Sequence, residues 1–498
     1  MMRFDTLIRA ALIHDGLGGA PYPADVGLEH DRIAAIGSLD GARAALDIDA
    51  QGLALAPGFI DVHTHDDFAC LQHPDMAFKT RGGVTTCIVG NCGFGAAPYA
   101  AAVEMIGALA PGVTVAPYNG HAGYAAALEQ APAATNIGVL AGHGSLRLAV
   151  MGRAARTPDD AEMTAMKALL GEALEAGVLG LSSGLIYSPG RHAQTAELIE
   201  LAREMRGSGA LYATHLRDEA AGLVEAVREA IAIGSGAGVP VQISHHKAAG
   251  RDNWGQVADT LALIEAAQAR GQSVHADQYP YTAGSTLLSA VLDNGAFSTA
   301  ASQGGIGVVA PEDVVVASCS AQAAWEGLDM GALSTLLGLS VRAAAEHVVA
   351  QAPGTTAIIH MMDEADVRRV LRHPSTMIGS DGIPTLDGRP HPRLYNSFAR
   401  VLGHYARDLG VLGMSDAVYR MTGFPASKFG LIDRGVVRAG AFADLVLFNA
   451  ATVIDRGTFE QPNHYPEGIV DVFVNGVAVI RDACPTAARP GRVLRRHV

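Results

Sequence analysis

Eight short apolar segments, each ending in polar residues, alternate with segments of helical periodicity between about residues 57 and 430. A nearly continuous apolar strand is typical of a parallel sheet that is buried on both faces. Eight such strands alternating with helices predict an α/β fold, a parallel (β/α)8 TIM barrel; a doubly wound open sheet is the alternative. The count of eight and the polar residues at the strand ends favour the barrel. The predicted strands are Phe59–His65, Val84–Asn91, Ile137–Gly142, Val178–Ser183, Leu211–His215, Val239–His245, Val274–Tyr279 and Thr376–Asp381.

The segment after Thr157 has a clear helical pattern. Thr157 is a typical N-cap residue, and Pro158 suits the first helical position. Apolar residues then recur at helical spacing, and Gly177 is a stop signal. We therefore predict a helix over Thr157–Gly177. Its apolar face contains Met163, Met166, Leu170 and Leu174.

Both ends of the chain have the pattern of short strands joined by tight turns, such as the Asn475-Gly476 hairpin. We predict that residues 1–56 and 432–498 form one small β-sandwich domain beside a catalytic barrel of residues 57–282 and 349–431. Residues 283–348 are too long for an ordinary crossover and are expected to form an inserted lid subdomain. The glycines of the stretch Gln303–Gly307 are candidate hinges for it, and a plain loop fits this stretch equally well.

The charge and the cysteine content disfavour several classes of protein. A formal net charge of -14 opposes binding to a nucleic-acid backbone. No uncharged apolar run reaches about 18 residues, so no membrane span is expected, and residues 1–15 lack a signal-peptide pattern. Five cysteines, an odd number, argue against a disulfide framework. We expect a cytoplasmic protein that acts on a small molecule, with its oligomeric state left open.

Residues able to bind a metal follow the predicted strands at the ends where such barrels carry their active sites. The first strand ends in His63-Thr64-His65, and both imidazoles point into the same mouth because alternate strand residues share a face. Imidazole, thiolate and carboxylate at one rim form a ligand set suited above all to Zn²⁺. The set at the strand ends consists of His63, His65, Cys92, His215, His245 (followed by His246) and Asp381.

Each of these residues also has an ordinary structural explanation. A single histidine is most often a packing residue, and a single cysteine such as Cys92 is usually a buried inert thiol. Cys87, in mid-strand, is assigned to that class. His143, which ends the third strand, fits a supporting role behind a metal site and simple packing equally well. The metal prediction therefore depends on six such residues meeting at the strand ends.

The run Pro57-Gly58-Phe59-Ile60-Asp61-Val62-His63-Thr64-His65 resembles the first-strand signature of the amidohydrolase superfamily. Four further motifs extend the resemblance over nearly the whole chain to the N-acyl-D-amino-acid deacylases (D-aminoacylases). They are Gly90-Asn91-Cys92-Gly93, Thr214-His215, Ile243-Ser244-His245-His246-Lys247 and Gly379-Ser380-Asp381-Gly382. The resemblance implies a zinc-dependent enzyme that hydrolyses the amide bond of N-acyl-D-amino acids, and the D preference depends on the resemblance alone.

The resemblance also implies roles for individual residues. It implies one tight Zn²⁺ site at Cys92, His215 and His245, where the motif selects His245 rather than His246. It implies a second, weaker metal site formed by the His-x-His pair and Asp381. The residues implied to contact the substrate are Lys247, Tyr279, Ser285 and Arg393.

These residue types suit amide hydrolysis. Three protein ligands leave a fourth zinc position open for water, whose pKa zinc lowers to about 7. Asp381 can take the water proton and return it to the leaving amine, while the metal, His63 or His65 polarises the carbonyl. Arg393 offers a planar fork for a carboxylate, whereas Lys247 offers only a point charge.

Two other functions stay open at the level of sequence. Cyclic-amide hydrolases such as dihydroorotases and hydantoinases resemble this fold but carry a carboxylated lysine on the fourth strand, and residues 180–187 contain no lysine. A catalytically inactive binding protein would be expected to lose ligand residues, and all six are present. The sequence leaves open the substrate side chain, the acyl group and the number of working metals.

Overall fold

The computed structural model describes residues 2–109, 114–297 and 305–496. At its centre, eight fully buried strands form a parallel sheet in which each strand pairs with the next one along the chain. The strands are Phe59–Asp61, Val84–Val89, Asn136–Gly142, Gly180–Gly184, Leu211–His215, Val241–Ile243, Val274–Gln278 and Thr376–Ile378.

The first and eighth strands meet and bring the sheet close to full closure. Thr64 and Gly382, just beyond these strands, form a parallel bridge. The amide of Asp381 donates to the carbonyl of His63 at 2.7 Å, and the amide of His65 donates to the carbonyl of Gly382 at 3.0 Å. The predicted (β/α)8 barrel is confirmed.

Helices cover the outside of the barrel and give each strand its second buried face. The longer helices that follow the first six strands are Tyr99–Leu109, Gly120–Gln130, His143–Met151, Asp160–Glu175, Thr195–Ala202, Leu223–Ala237 and Val257–Ala269. Those that flank or follow the eighth strand are Glu364–Arg372, Arg393–Arg400 with a π-helical continuation Val401–Asp408, Met414–Met421 and Gly423–Phe429. None of the helices in the described ranges has the length and apolar content needed to cross a bilayer.

The helix predicted over Thr157–Gly177 begins later than expected. It spans Asp160–Glu175, and its N-cap is Asp159 rather than Thr157. Asp159 accepts from the amide of Glu162 at 2.9 Å, and Glu162 accepts from the amide of Asp159 at 2.9 Å. This reciprocal capping box satisfies two amides at once, which a lone threonine cap cannot do.

Strands from both ends of the chain form one nine-stranded sheet beside the barrel. The N-terminal strands are Arg3–Ile13, Tyr22–Glu29, Arg32–Gly37, Arg43–Asp49 and Ala54–Pro57. The C-terminal strands are Leu445–Phe448, Ile469–Val474, Val477–Arg481 and Cys484–Pro485. Ala54–Pro57 pairs antiparallel with Leu445–Phe448 and thereby joins the two groups. The predicted β-domain built from both termini is confirmed.

A three-stranded antiparallel sheet follows the seventh barrel strand. Ala283–Leu287 and Val314–Ser318 both pair with Thr356–His360, and the helices Leu288–Asp293, Met330–Leu337 and Val341–Gln351 lie between these strands in the chain. Because Thr356–His360 belongs to this sheet, we propose that the inserted unit extends to about residue 362. Of the predicted hinge, Gln303 and Gly304 lie outside the described residues, while Gly305 and Gly307 have φ of 61° and 71°.

Candidate metal centre and its cavity

All six metal-binding candidates from the sequence converge at one end of the barrel. Three groups of ligand atoms each lie within 4.8 Å of one another. These groups are His63–His65–Cys92, Cys92–His215–His245 and His63–His245–Asp381. The convergence follows from the parallel arrangement, because the carboxyl ends of all eight strands open at the same face.

Five of the six residues lie just beyond their strands, His215 being the one inside a strand, and three of these five have a left-handed backbone conformation. Cys92, His245 and Asp381 have φ of 54°, 35° and 48°, in the left-handed region that side chains with a Cβ rarely adopt. These turns bring the three side chains together: the Cys92 Sγ lies 3.5 Å from His245 Nε2, and Asp381 belongs to the same group of donors as His245.

The turn at Cys92 depends on close backbone packing around it. A Cβ atom at Gly184 would lie 2.1 Å from the Cys92 carbonyl oxygen, so only glycine fits there. Ser182 donates to the carbonyl of Gly90 and accepts from the amide of Gly93 at 3.0 Å. The fourth barrel strand therefore fixes the position of the Cys92 thiol.

The atoms around Cys92 have the spacing of a zinc site. The Cys92 Sγ lies 3.7 Å from His215 Nδ1 and 3.5 Å from His245 Nε2. In a tetrahedral site, zinc bonds of about 2.3 Å to sulfur and about 2.0 Å to nitrogen place these atoms about 3.5 Å apart. Both the donor types and their spacing therefore fit Zn²⁺.

A second group of donors adjoins the first and shares its sulfur. The Nε2 of His63 lies 3.3 Å from the Cys92 Sγ and 3.5 Å from Asp381 Oδ1. The Nε2 of His65 lies 3.2 Å from the same carboxylate oxygen. Cys92 thus stands between the two groups, in a position suited to bridging two cations.

The four predicted substrate-binding residues lie around Asp381 and the cavity. The Nη2 of Arg393 lies 2.8 Å from Asp381 Oδ2 and donates to the carbonyl of Ser285 at 3.1 Å. The guanidinium carbon of Arg393 stands 4.4 Å from the centre of the Tyr279 ring. Among the described residues, Arg393 Nε and Nη1 are buried without a hydrogen-bond partner. Part of the arginine fork is therefore free to receive another anion.

The fourth predicted substrate residue, Lys247, belongs to a buried ionic cluster. Its ammonium donates to Glu219 Oε1 at 2.6 Å and to the carbonyl of His245 at 2.9 Å, and it lies 2.8 Å from His245 Nδ1. Glu219 Oε1 also lies 3.0 Å from that nitrogen, and Glu219 Oε2 lies 3.7 Å from His215 Nε2. The Glu219 carboxylate therefore contacts His215 and His245, which are two of the three candidate ligands of the tight site.

Burial and neighbouring charges act in opposite directions on the acidic groups of the site. Burial raises the pKa of the Cys92 thiol, but the imidazoles of His63 and His245 outweigh it and hold that pKa well below its usual range. Burial likewise raises the pKa of Asp381, but the Arg393 guanidinium and His245 hold it well below its usual range. Both groups are therefore anionic at neutral pH, as metal ligands must be.

Sequence reasoning missed three buried residues that support the ligands. Glu219 follows His215 by four residues, and this spacing was the available signal. Asp277 accepts from the amide of His245 at 2.8 Å and lies 3.3 Å from His63 Nδ1. Lys79, in the short helix Ala77–Thr80 after the first strand, donates to Asp61 and to Ser380 at 2.8 Å each. Asp277 could have been identified from the sequence, because it is a charged residue within an apolar strand. Nothing in the sequence around Lys79 indicated its role.

The two histidines that the sequence left undecided lie away from the metal donors. The Nε2 of His246 lies 2.9 Å from the Thr260 hydroxyl. The Nε2 of His143 lies 2.9 Å from Glu197, whose carboxylate also accepts from Arg147 at 2.6 Å. His143 and Glu197 form a separate buried ionic group beside the barrel mouth.

A narrow cavity leads from the donors to the inserted sheet. Lys247, Tyr279 and Ser285 line it, together with His65, His215, His245, Asp381 and Glu219. The rest of the lining is mostly apolar: Phe94, Leu109, Ile186, Tyr187, Gly284, Thr286, Ile306, Ile359, Met361 and Ile383. The inserted sheet therefore forms one wall of the cavity that contains the candidate ligands.

Comparison with known proteins gives consistent matches over nearly the whole chain. A model of the amidohydrolase family matches residues 47–333 and 329–480. A D-aminoacylase of Alcaligenes xylosoxydans xylosoxydans is 43% identical over 495 residues, which cover 99% of this chain and 98% of that protein.

Two solved structures match with equal coverage. One is a D-aminoacylase with a binuclear metal centre, in which one metal activates and a second attenuates; it is 41% identical, with a TM-score of 0.88. The other is an N-acyl-D-glutamate deacylase of Bordetella bronchiseptica complexed with zinc and a phosphonate inhibitor that mimics the tetrahedral intermediate; it is 39% identical, with a TM-score of 0.89. Each match covers 99% of this chain and 100% of the other.

A more distant match concerns the fold alone. The L-hydantoinase of Arthrobacter aurescens is 17% identical, with a TM-score of 0.60. The fourth barrel strand here, Gly180–Gly184, contains no lysine that could be carboxylated. This chain therefore shares the barrel fold with the hydantoinase. It lacks the lysine on the fourth strand that is expected of cyclic-amide hydrolases.

Proposed function

Because this chain belongs to the D-aminoacylase family of amidohydrolases, and is a metal-dependent enzyme of that type, we propose that it hydrolyses N-acyl-D-amino acids to a carboxylate and a free D-amino acid. The observation that carries the proposal is the Cys92–His215–His245 group, whose donor atoms have zinc-like spacing and whose two histidines line the narrow cavity. Relatives named for N-acyl-D-amino-acid substrates, at about 40% identity, support the choice of reaction.

The proposed cofactor is Zn²⁺ at one tight site made by Cys92, His215 and His245. A second, weaker site is proposed at His63, His65 and Asp381. The zinc in the deacylase of Bordetella bronchiseptica and the binuclear centre of the related D-aminoacylase support this assignment. Zinc bound there supplies Lewis-acid polarisation of a carbonyl and lowers the pKa of water to about 7.

Asp381 is proposed to move the proton during hydrolysis. Its Oδ2 is held by Arg393, so its Oδ1 stays near His63 and His65 at the base of the cavity. This oxygen takes one proton from the attacking water. The carboxylic acid then gives that proton to the nitrogen of the breaking amide bond, so the amine leaves neutral and Asp381 returns to its anionic form.

The substrate carboxylate is proposed to bind at Arg393, next to Tyr279 and Ser285. Two of the guanidinium nitrogens, Nε and Nη1, have no partner among the described residues, and each can donate to a carboxylate oxygen. With the carboxylate held there and the carbonyl held near the metal donors, the third substituent on the α-carbon has one direction open to it. This arrangement favours one enantiomer, and the family relationship supports D.

The test is a hydrolysis panel with the zinc-loaded full chain. We expect N-acetyl-D-amino acids to be hydrolysed and their L enantiomers to be at least 100-fold poorer in kcat/KM. The protein should contain about one tightly bound zinc per chain. The Cys92→Ala variant is the negative control and should lose both zinc and activity. Equal rates on D and L substrates, or full activity of Cys92→Ala, would contradict the proposal.

A further inference from the structure

We propose that the enzyme prefers N-acyl-D-amino acids whose side chain is apolar over those of D-aspartate or D-glutamate. This proposal depends on the proposed deacylase function and goes beyond it by naming the substrate side chain. It is carried by the residues on the cavity wall and by the contacts that their polar groups already make.

Two buried hydrophobic clusters contribute apolar residues to the cavity wall. Phe94, Leu109 and Ile383 belong to one buried hydrophobic cluster, which also contains Cys92. Ile306, Ile359 and Met361 line the cavity from the inserted unit, and each is at most 5% exposed. An apolar side chain placed against these residues is removed from water, which favours its binding.

The polar groups of the wall are occupied with one another. The hydroxyl groups of Tyr187 and Thr286 lie 3.1 Å apart, within hydrogen-bond distance. The ammonium of Lys247 is neutralised by Glu219 at 2.6 Å. A substrate carboxylate entering this space would break one of these pairs or remain without a partner, and both outcomes are costly in a buried site.

Cations able to bind a second carboxylate are lacking around the cavity. Among the described residues 2–109, 114–297 and 305–496, Lys247 is the one lysine or arginine that lines the cavity. The internal segments 110–113 and 298–304 contain neither Lys nor Arg. Arg191 and Arg217 line a separate outer groove, and Arg217 is paired with Glu229 at 2.9 Å.

The charges that do face the cavity oppose an acidic side chain. Glu219 and Asp381 are both on the wall, and each is already paired with a cation: Lys247 lies 2.6 Å from Glu219, and Arg393 lies 2.8 Å from Asp381. Arg393 is the remaining cation within reach, and the α-carboxylate that every substrate carries takes its free nitrogens. An N-acyl-D-aspartate or D-glutamate brings a second carboxylate, for which the described wall residues offer no unpaired lysine or arginine.

The experiment compares substrates and then changes the wall. With the zinc-loaded parent, kcat/KM for N-acetyl-D-leucine or D-methionine should exceed that for N-acetyl-D-glutamate by at least 100-fold. Met361→Lys places a cation of similar length on the wall and should shift the ratio towards D-glutamate by at least 10-fold. Met361→Gln, the matched neutral control, should lower the rate on D-leucine without a gain on D-glutamate.

The possible results separate this proposal from the one on which it depends. Hydrolysis of D-glutamate or D-aspartate derivatives at rates equal to or above those of D-leucine would overturn the side-chain preference and leave the deacylase function intact. An equal gain on D-glutamate in Met361→Gln and Met361→Lys would also overturn it, because polarity rather than charge would then be responsible. No hydrolysis of any N-acyl-D-amino acid by the zinc-loaded protein would overturn both proposals.

Discussion

The side chains of the metal centre are held by residues that stand one layer behind them. Cys92, His245 and Asp381 adopt left-handed backbone conformations, each of which costs on the order of 1 kcal/mol or more outside glycine. Hydrogen bonds offset part of that cost: the amide of Asp381 binds the His63 carbonyl, and the amide of His245 binds Asp277. The donors are therefore arranged by the protein itself.

Replacement of Asp381 tests its role as the proton carrier. Asp381→Asn keeps the size of the side chain but cannot accept a proton, so we expect kcat to fall by about 100-fold or more with a smaller change in KM. Zinc at Cys92, His215 and His245 should remain bound, as measured by elemental analysis. Asp387→Asn, on an exposed part of the same loop, is the control. Near-normal turnover of Asp381→Asn would exclude the role.

Arg393→Lys tests recognition of the substrate carboxylate. The lysine keeps a positive charge near Asp381 but lacks the fork, so kcat/KM for an N-acetyl-D-amino acid should fall by about 2–4 kcal/mol. An amidated substrate without the carboxylate should be poor for the parent and should lose much less on mutation. Because Arg393 also contacts Asp381, Arg393→Ala should impair both substrates. Equal losses for the two substrates in Arg393→Lys would place the arginine in a structural role.

Glu219→Gln tests support of the ligand histidines from behind. Loss of a carboxylate next to a ligand histidine typically weakens metal binding by about 10- to 100-fold. Zinc affinity, measured by competition with a chelator, should fall in this range. Glu197→Gln is the matched control because Glu197 is also a buried carboxylate on a histidine but lies away from the metal donors. Equal weakening of zinc binding in both variants would indicate a general packing effect.

At the residue scale, the sequence predicted the donors because they stand at strand ends, where position alone implies function. It could not predict Lys79, because its partners Asp61 and Ser380 are brought to it only by closure of the barrel. The pairing of Arg393 with Asp381 was also missed, since eleven residues lie between them in the chain and this spacing gave no distance.

At the scale of elements, the sequence predicted where the barrel strands lie but not the residues at which they end. The strands predicted to run to Asn91 and His245 end at Val89 and Ile243, and the chain then enters the left-handed region at Gly90 and at His245. The start of the helix at Asp160 was misplaced because two caps compete, and the reciprocal Asp159–Glu162 box is the stronger. Composition alone could not reveal that the insertion contains an antiparallel sheet.

The inserted sheet is expected to respond to substrate. Gly284, Ser285, Thr286, Ile359 and Met361 line the cavity from it or just beyond it. A bound ligand that contacts these residues should slow amide hydrogen exchange in Ala283–Leu287 and Thr356–His360. The measurement compares the zinc-loaded enzyme with and without a phosphonate analogue. Leu445–Phe448, in the distant β-domain, is the internal control. Unchanged exchange in the insertion would mean that it is a fixed wall and not a lid.

At the scale of the whole molecule, stability is expected to fall in acid because a histidine is buried in neutral form. His275 is 1% exposed, and burial together with Lys428 lowers its pKa from 6.5 to about 3. Since the unfolded chain binds the proton more readily, the free energy of unfolding falls by about 1.4 kcal/mol for each pH unit below 6.5, down to about pH 3.

The variant His275→Met removes this titration. Between pH 7.5 and pH 5, the parent should lose about 2 kcal/mol more stability than the variant in chemical denaturation at constant zinc. His30, an exposed histidine, gives the control His30→Met, which should follow the parent. A variant His275→Met with the same pH dependence as the parent would show that His275 is protonated without penalty in the folded state.

The joining of both chain ends in one sheet has a consequence for biosynthesis. Pro57 leads directly into the first barrel strand, yet the partner of its own strand, Leu445–Phe448, emerges from the ribosome 388 residues later. At ordinary translation speeds this delay is about 20 to 80 s. During that time the nascent chain carries an unpaired strand edge, the type of surface on which chains aggregate. We therefore expect the yield of folded enzyme to depend on how well chaperones shield this edge until translation ends.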